Sequence, residues 1–391
     1  MRVMRVLTRP NEGGPTRQAI ALWHAMAARG VTTLLVTGVV PPGEQELRPD
    51  AHGVPRIDFA AALAGAMGGG WLALPELRRG IAPWRDVAAY RRLRALARGW
   101  RPDVVHTHTS KAGWLGRLAV RGCGVMVVHT FHGHVLADYF PRPVGWALAR
   151  LERRLAAATH ALIAVSASCA DELAALGIAP RARFAVVPPA VPVETPLSRA
   201  ASRVALGLPV DGPVAVCVGR LVPIKRVRLF LDALRAQPTW RGDVIGSGPL
   251  QAELAAAAPP NVRFLGSRPD VAQLLGAYDC LVVPSQREGL PLVAVEAARA
   301  GVPVAGFDVP GTSDALAAAA GELAREGTGG AGLAAAMVAA TRRPHGALAG
   351  PLADVCRPDA VADRLLAIYR QAGTSRACGA VDRRDSAEAP T

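Results

Sequence analysis

Lysine is nearly absent from this chain of 391 residues. Lys111 and Lys225 are its only lysines, although Lys and Arg together number 45. Arginine supplies almost all of the positive charge, and lysine occurs at only two positions. The lysine ammonium is compact and strongly hydrated, and a planar guanidinium would fit differently at these positions. Aromatic residues are also scarce, at 5%, and the basic regions lack the stacking motifs of proteins that bind single-stranded nucleic acid. We therefore treat the two lysines as candidate functional residues and expect no nucleic-acid partner.

Paired cysteines and long apolar segments are missing as well. The six cysteines are scattered without a CxxC pair, so we expect reduced thiols rather than a disulfide or zinc framework. The stretch MRVMRVLTRP reaches Pro10 too soon for the apolar core of a signal peptide, and AALAGAMGGGWLAL is too short and too rich in glycine to span a membrane. These features predict a cytoplasmic protein whose contact with a membrane would be peripheral, on the inner face of the plasma membrane.

Positive charge is abundant instead. The formal net charge is +14 and the pI is near 10.7, which favours anionic ligands such as nucleotides, phosphorylated lipids and acidic membranes. Residues 75–155 contain 15 Lys and Arg against 5 Asp and Glu. This concentration locates a basic surface in the first half of the chain without identifying its ligand.

Short β-branched runs alternate with alanine- and leucine-rich stretches along the chain. The first half contains VMRVLT, TTLLVTG, VVHTHT, MVVHTFH, HALIAVS and FAVVPP, and the second half contains VAVCVG, DVIGSG, VRFLG, CLVVPS and VPVAGF. This alternation is typical of βαβ units, and the proline-rich segment PPAVPVETPLSRAASR separates the two sets. We therefore predict an α/β protein with two doubly wound, Rossmann-like domains facing across a ligand-binding cleft.

The predicted domain boundaries follow from this division. Residues 1–190 form the first domain, and residues 191–358 form the second. Residues 359–372 have helical periodicity and are expected to complete the first domain. Residues 373–391 are polar and rich in small residues, which predicts disorder.

The segment GRLVPIK, residues 219–225, follows the apolar run VAVCVG and precedes a helix predicted from Val227. Such a strand–loop–helix junction aims backbone N–H groups and the positive end of the helix dipole at an anion. Arg220 and Lys225 add two cations there, the first as a bidentate fork and the second as a point charge. This pattern predicts a diphosphate clamp, with a solvated basic loop as the alternative.

The segment PSQREGLPLVAVEAARAGVPVAGF, residues 284–307, carries two glutamates eight positions apart. Glu288 lies in the loop before a predicted helix and Glu296 lies within that helix, so both can face one ligand. A carboxylate that accepts two hydrogen bonds suits ribose hydroxyls, and a second can orient sugar hydroxyls. Gly289 would let a phosphate approach the backbone at the helix N-terminus. The alternative is a pair of solvent-facing glutamates on a surface helix.

In this context the two segments resemble the retaining nucleotide-sugar glycosyltransferases of the GT-B fold, specifically family four, the bacterial "glycosyl transferases group 1" type. The resemblance extends from RPNEGGPTRQAIALWHAMAARG through VVHTHTSKAGWLGRLA, HTFHGHVLADYF, VGRLVPIK, IGSGPLQAEL and PSQREGLPLVAVEAARAGVPV to VPGTSD. It implies transfer of a hexosyl or N-acetylhexosaminyl group from a nucleotide-sugar donor, expected to be UDP-linked, to an acceptor hydroxyl. The pathway would be glycan, glycolipid or secondary-metabolite biosynthesis.

The resemblance implies that residues 1–190 form the acceptor-side domain and that residues 191–358 form the nucleotide-sugar-binding domain. It also implies roles for the residues that match the family motifs. Arg220 and Lys225 correspond to the pair that binds the donor diphosphate, and Glu296 corresponds to the carboxylate that holds the ribose. Glu288 corresponds to the acid beside the donor sugar. His132, in TFHGH, corresponds to the histidine that faces the reacting sugar, and we expect it to position the sugar ring rather than take a proton.

Three further positions belong to the implied donor site, and two depart from the family pattern. The backbone at Gly289 and Leu290 lies near the phosphates, and Gly14 corresponds to the glycine of the first domain that closes over the donor. Arg226 stands where glycine usually follows the lysine, which concerns the phosphate loop. Asp314 stands in VPGTSD where glutamate is common, which concerns the sugar pocket.

Two histidines and a lysine mark the end of the run VVHTHT. His106 and His108 alternate on the predicted strand, but no third ligand follows nearby, so we expect packing or hydrogen bonding rather than a metal site. Lys111 follows the same strand, on the side that the resemblance assigns to the acceptor. We expect an anionic acceptor group as its ligand, with an ordinary surface lysine as the alternative.

The predicted chemistry needs neither a metal nor a cofactor. The chain has no Asp-x-Asp pair, the motif expected where a divalent ion holds the diphosphate, and Arg220, Lys225 and the helix N-terminus would stabilise the leaving group instead. The family precedent is retention by front-face attack. A nucleotide-sugar epimerase and a non-catalytic partner subunit are the alternatives on this fold, and the presence of both motif segments argues against them.

The acceptor is the least determined part of the prediction. In RRLRALARGWR the arginines Arg91, Arg94 and Arg98 interleave with apolar residues. Such a basic amphipathic helix can lie on an anionic leaflet and serve a lipid-linked acceptor. The alternative is a solvated helix whose apolar side packs on the sheet, with a soluble metabolite as the acceptor.

Overall fold

The computed structural model describes residues 1–41, 45–65, 68–133, 142–318, 321–342 and 351–385. The chain divides into two compact units. Unit 1 comprises residues 1–165, 169–190 and 358–391, and unit 2 comprises residues 166–168 and 191–357. Each unit is built around its own parallel sheet.

Unit 1 contains a seven-stranded parallel sheet in the order β3-β2-β1-β4-β5-β6-β7. Most side chains of its strands are buried, which suits a sheet that is covered on both faces. The strands are β1 Arg2–Leu7, β2 Thr32–Thr37, β3 Gly70–Ala73, β4 Val104–His108, β5 Met126–Phe131, β6 Ala161–Ala164 and β7 Phe184–Val186.

The helices between these strands alternate with them, as βαβ units require. They are α1 Gly14–Ala27, α2 Phe59–Ala64, α3 Pro83–Gly99, α4 Ser110–Ala119, α5 Arg142–Ala157 and α6 Ala167–Ala175.

Helix α3 contains the basic segment RRLRALARG, and its apolar side chains are buried. Leu93 and Leu96 are fully buried, together with Trp100 just after the helix, among side chains of β1, β2 and β4. Arg94 donates to the carbonyl oxygens of Ala119 and Arg121 at 3.0 and 3.1 Å. The apolar side of α3 therefore packs on the sheet.

Unit 2 contains a six-stranded parallel sheet in the order β10-β9-β8-β11-β12-β13. Its strands are β8 Val214–Val218, β9 Arg241–Ile245, β10 Val262–Gly266, β11 Cys280–Val283, β12 Val304–Phe307 and β13 Glu322–Ala324. Its helices are α7 Arg199–Leu206, α8 Val227–Arg235, α9 Gln251–Ala256, α10 Val271–Leu274, α11 Leu292–Arg299, α12 Thr312–Ala318, α13 Gly329–Ala340 and α14 Pro351–Val355. Two apolar clusters form its core.

The chain then returns to unit 1 with α15, Pro358–Asp385. Val361, Leu365 and Tyr369 of this helix are buried against β1 and α1. Asp363 forms an ion pair with Arg29 just after α1, with 2.6 Å between Oδ1 and Nε. The helix is therefore an integral part of the unit 1 core.

The structure confirms the predicted α/β class with two Rossmann-like sheets and differs from the sequence predictions in three details. The edge strands β3 and β13, of 4 and 3 residues, are additional. Residues 187–198 contain no helix or strand, but α7 begins at Arg199, within the proline-rich segment. Helix α15 includes residues 373–385, for which disorder is predicted, because extending an existing helix costs less than starting one. Residues 386–391 lie outside the described residues.

The described residues contain no helix that is both long and apolar enough to cross a membrane. Five cysteines carry free thiols, and all but Cys123 are buried. The side chain of Cys378 lies outside the described part of the chain.

Candidate functional site

The sheet of unit 2 reverses its strand order between β8 and β11. Ligands of doubly wound folds bind at this switch point, beyond the carboxyl ends of the strands. Lys225 lies in the loop after β8 and Glu288 lies in the loop after β11. Their side chains meet, with 2.5 Å between Nζ and Oε1, and both are partly buried. The structure thus joins two sequence-predicted site residues in one ion pair at the switch point.

The loop after β8 is shaped by glycine. Gly246, which follows β9, has a φ of +140°, and a Cβ added to it would lie 2.0 Å from the carbonyl oxygen of Gly219. Only glycine allows two loops to approach this closely, backbone against backbone. Residues Pro223–Lys225 then form a single 3-10 turn, which places Lys225 at the switch point.

The loop after β11 is held by backbone contacts. The N–H of Gln286 donates to the carbonyl oxygen of Ile224 at 2.9 Å, and the N–H of Glu288 donates to that of Pro310 at 3.2 Å. Gly311 has a φ of +77°, and a Cβ there would lie 2.2 Å from the carbonyl oxygen of Glu288. The Glu288 backbone is therefore packed between neighbouring loops.

The remaining predicted residues of unit 2 have different environments. Gly289 and Leu290 are partly buried just before α11, and no side chain caps this helix. Glu296 is buried within α11. Arg220 is exposed, and its guanidinium has no side-chain partner among the described residues. Arg220 therefore remains available to an anion, whereas Lys225 is paired with Glu288.

The sheet of unit 1 has its own switch point, between β1 and β4. The hydroxyls of Thr8, after β1, and Thr109, after β4, lie 2.7 Å apart, and Thr8 Oγ1 accepts from the N–H of Ala112 at 3.2 Å. Thr109 has a φ of 61°, a strained value for a β-branched residue. Helix α1 begins at Gly14 on the same edge of the sheet, without a side-chain cap.

A buried polar chain runs along this edge. Arg5 in β1 lies 3.1 Å from His108 in β4, measured from Nη2 to Nε2. His108 lies 3.0 Å from His132, which follows β5, measured from Nδ1 to Nε2. Burial and the charge of Arg5 lower the pKa of His132 to about 3. Burial also lowers the pKa of His108 well below its ordinary range. Both imidazoles are therefore neutral at physiological pH.

The neighbouring His106 has hydrogen-bond partners on both ring nitrogens. Its Nδ1 lies 2.6 Å from the hydroxyl of Tyr369, and its Nε2 lies 2.7 Å from Oγ1 of Thr130. The described residues contain no group of three or more His, Cys, Asp and Glu side chains arranged to hold a metal ion. His106 therefore makes the hydrogen bonds that the sequence predicts for it.

Solved structures share this architecture along nearly the whole chain. Sucrose-phosphate synthase from Thermosynechococcus elongatus aligns with a TM-score of 0.76 and 18% identity, covering 96% of this chain and 100% of that one. HepE from Anabaena, solved in complex with UDP-glucose, aligns with a TM-score of 0.66 and 17% identity over 97% of this chain and 100% of that one. At these identities the likeness shows the fold.

The sequence matches known families in both halves. Residues 13–190 match the glycosyl transferase 4-like domain, and residues 212–342 match glycosyl transferases group 1. The 2-deoxystreptamine N-acetyl-D-glucosaminyltransferase of Streptomyces fradiae is 30% identical over 338 residues, which cover 78% of this chain and 76% of the relative. The chain belongs to the GT-B glycosyltransferases. The D-inositol 3-phosphate glycosyltransferase of Frankia alni is 31% identical over 366 residues, 85% of this chain and 87% of the relative.

Arg226, the first departure from the family pattern, has a clear structural role in this glycosyltransferase. Its φ of 45° and ψ of 38° are left-handed values that glycine adopts without strain. Its guanidinium donates to the carbonyl oxygens of Pro284 and Ser285 at 3.0 and 2.9 Å. It also pairs with Glu326 at 2.6 Å and lies 4.8 Å from the centre of the Phe307 ring. Arg226 thus connects the loop after β8 to the end of β11.

Asp314, the second departure, makes backbone contacts within unit 2. Its carboxylate accepts from the N–H groups of Gly311, Ala167 and Ser168 at 3.1 to 3.2 Å. It also accepts from the hydroxyl of Ser168. The shorter acid therefore orders the Gly311 loop that packs on Glu288.

Lys111 of the glycosyltransferase is buried near the start of α4. Its ammonium forms an ion pair with Asp86 of α3, with 2.5 Å between Nζ and Oδ1, and donates to the carbonyl oxygen of Gly80. These contacts connect two helices of unit 1. They support a structural role for Lys111 rather than the binding of an anionic acceptor.

Two residues of the site were not predicted as functional. Arg226 appears in the sequence only as a departure, and its contacts with the end of β11 require the tertiary structure. Arg5 carries a sequence signal, since it is a charged residue inside the apolar run VMRVLT. A charge within a strand that is buried on both faces is rare and needs a partner or a function.

Proposed function

We propose that the enzyme transfers a hexosyl group from a UDP-sugar to an acceptor hydroxyl with retention of configuration, without a metal ion, as a member of glycosyltransferase family four. The observation that carries the proposal is the Lys225–Glu288 pair at the switch point of unit 2. A cation and a carboxylate held together there match the two halves of a sugar diphosphate, since the cation suits the phosphates and the carboxylate suits the sugar hydroxyls.

The proposed reaction breaks the bond between C1 of the sugar and the diphosphate oxygen, which takes the electron pair. The acceptor oxygen forms its bond to C1 on the same face, and its proton goes to a phosphate oxygen of the departing diphosphate. Negative charge therefore develops on the diphosphate in the transition state. Lys225 and the exposed Arg220 stabilise this charge, together with the uncapped start of α11.

The other residues complete the proposed site. Glu296, buried in α11, accepts hydrogen bonds from the ribose hydroxyls, and Glu288 orients the hydroxyls of the donor sugar. The backbone of Gly289 and Leu290 lies beside the phosphates. From unit 1, His132 contacts the donor sugar and Gly14 provides a close approach at the start of α1.

Two observations support the choice of donor. The HepE structures contain UDP with glucose or UDP-glucose. The Streptomyces fradiae relative is named for the transfer of an N-acetyl-D-glucosaminyl group. We accordingly propose UDP-glucose and UDP-N-acetylglucosamine as the first donors to test.

For the acceptor, we propose a soluble polyhydroxylated ring. The names of the relatives specify 2-deoxystreptamine and D-inositol 3-phosphate, both six-membered carbocycles with several hydroxyls. The burial of the apolar side of α3 removes the main argument for a lipid-linked acceptor. Peripheral contact with an anionic membrane retains one supporting observation, since Trp84 at the start of α3 is 89% exposed and Ile81 is 74% exposed.

The test is slow hydrolysis of a panel of nucleotide sugars, measured with and without EDTA, followed by transfer to cyclitol acceptors. We expect hydrolysis of a UDP-sugar that EDTA does not reduce. Activity that is lost in EDTA and restored only by Mg²⁺ or Mn²⁺ would overturn the metal-free mechanism. Turnover that epimerises the donor without releasing UDP would identify an epimerase instead.

A further inference from the structure

Arg5 occupies an unusual position in unit 1. It lies in the middle of β1 and is fully buried, and no carboxylate of the described residues pairs with it. Its Nε and Nη1 atoms are buried and have no hydrogen-bond partner among the described residues. Within the described part of the chain, His108 is the only side chain that the Arg5 guanidinium contacts by a hydrogen bond, through Nη2. A buried cation with one bond is costly, so its presence requires a reason.

The hydrogen-bond roles along the chain follow from the chemistry of arginine. A guanidinium can only donate, so Nε2 of His108 must accept the bond from Arg5. Because His108 is neutral, its single ring proton is then on Nδ1. That proton is donated to Nε2 of His132, 3.0 Å away. Arg5 therefore determines the tautomer of His108, and His108 determines the tautomer of His132.

The last ring nitrogen in the chain is Nδ1 of His132. Because His132 is neutral and its Nε2 accepts a bond, its own proton is on Nδ1. No described residue bonds to that nitrogen. His132 consequently offers a hydrogen-bond donor to a ligand and has no free lone pair with which to remove a proton.

We propose that Arg5 and His108 are positioning residues that hold His132 as its Nδ1–H tautomer, so that His132 donates a hydrogen bond to an oxygen of the donor sugar. What this donor bond serves rests on the proposed function, whereas the tautomer itself does not. The charges around the chain support the assignment. Arg5 faces His106, His108 and His132, and its positive charge disfavours protonation of each.

The first test is a nitrogen-15 NMR spectrum of the full-length protein labelled at its nine histidines, in which the two ring nitrogens report the tautomer directly. His132→Gln identifies the signal of His132. We expect the Nδ1–H form in the unsubstituted protein. An Nε2–H form there, or a cationic ring at neutral pH, would overturn the proposal.

Matched variants separate the relay from general structural damage. Arg5→Lys still donates, and His108→Gln has an amide that can accept from Arg5 and donate to His132, so both should keep the Nδ1–H form. Arg5→Met and His108→Phe lack these groups and should shift His132 toward the Nε2–H form. His129→Phe is the control and should leave the tautomer of His132 unchanged. His129 is equally buried, but its Nδ1 bonds to Thr107, at 2.8 Å, and not to the Arg5–His108–His132 chain. An unchanged tautomer in both Arg5→Met and His108→Phe contradicts the relay.

The second test compares stability with turnover. Removing an uncompensated buried charge should leave the melting temperature of Arg5→Met unchanged or higher, while kcat falls about tenfold or more and UDP affinity is retained. Arg5→Lys should restore most of the turnover. If Arg5→Met lowers the melting temperature as well as kcat, the loss of turnover is explained by damage to the fold, and Arg5 has only a structural role. If the tautomer responds to Arg5 but no nucleotide sugar is used, the relay stands and the proposed function fails.

Discussion

The two switch points of this protein use charge in opposite ways. In unit 2 a cation and an anion meet at the partly exposed Lys225–Glu288 pair. The same loop after β8 carries Arg220, which has no side-chain partner among the described residues. In unit 1 the buried cation Arg5 bonds to the neutral His108 and has no carboxylate partner in the described part of the chain. Both units are built on parallel sheets, so the difference lies in the side chains that each sheet and its loops carry near the switch point.

This contrast indicates a division of labour. A charge that solvent can reach can exchange its protein partner for a ligand, and the proposed function requires Lys225 to exchange Glu288 for a diphosphate. A buried charge has no such freedom, but in a medium of low dielectric it imposes hydrogen-bond direction strongly. Unit 2 is therefore suited to binding a charged group that arrives and leaves, and unit 1 to presenting a fixed hydrogen-bond donor.

The largest effect should come from removing the exchangeable cation. We expect Lys225→Ala to reduce kcat/KM about 100- to 1,000-fold and to weaken UDP binding while the melting temperature changes little. Calorimetric titration with UDP measures the binding. Arg228→Ala is the control, because Arg228 is an exposed cation three residues further along. Unchanged UDP affinity in both Lys225→Ala and Arg220→Ala would refute the diphosphate clamp.

The two glutamates provide a sharper test of roles within unit 2. Glu288→Gln should retain UDP affinity and lower turnover, since its carboxylate is assigned to the sugar. Glu296→Gln should weaken UDP and UDP-sugar alike, because its assigned ligand is the ribose. Titrations of both variants with UDP and with UDP-sugar decide the matter. Equal loss of UDP affinity in the two variants contradicts the assignment.

Arg226 tests whether the unit 2 site depends on its supporting loop. Arg226→Gly removes the backbone strain but also two hydrogen bonds to carbonyl oxygens and a stacked contact. We expect a loss of about 1–2 kcal/mol in the free energy of unfolding and about a tenfold loss of kcat. Glu326→Gln, which leaves the bonds to Pro284 and Ser285 in place, should have less effect on both. A fully active Arg226→Gly would show that the loop needs no such connection.

The buried histidines of unit 1 predict how its stability depends on pH. Burial lowers the pKa of His129 well below 6.5, as it does for its histidine neighbours. The unfolded chain therefore binds more protons than the folded chain below about pH 6.5, and stability falls as the pH is lowered from 7 toward 4. His129→Phe should reduce the difference in urea midpoint between pH 7.5 and pH 5, whereas His52→Gln, at an exposed histidine, should not.

The smallest effect is expected at Lys111. Lys111→Met leaves Asp86 without its cation. The free energy of unfolding should therefore fall by about 1–2 kcal/mol, seen as a lower melting temperature, while the acceptor KM stays unchanged. Lys111→Met combined with Asp86→Leu should recover part of the stability, since an apolar pair can replace a buried ion pair. A raised acceptor KM with unchanged stability would support the anionic acceptor group expected from the sequence.

The fold was predictable because hydrophobic periodicity is a local property of the chain. The β-branched runs marked eleven of the thirteen strands, whereas β3 and β13 are too short for a periodic signal and depend on a neighbouring strand. The motif residues of unit 2 could be named because a loop between a strand and a helix is local too.

The contacts between distant residues were not predictable. Glu288 follows Lys225 by 63 positions in the sequence, and His108 follows Arg5 by 103. Only the strand order brings these pairs together. The isolated arginine in VMRVLT is visible in the sequence as a charge within an apolar run. Its partner His108 could not be identified without the order of β1, β4 and β5.

Helix α15 has a consequence for how the protein is made. Tyr369 bonds to His106, 263 residues earlier, and Val361 and Leu365 fill the same core as β1. The ribosome synthesises about nine-tenths of the chain before it reaches this helix. Unit 1 therefore lacks part of its core at a time when the residues of unit 2 are already made and free to fold. The core of the first unit is therefore completed last, and a chain interrupted after unit 2 would lack the hydrogen bond between Tyr369 and His106.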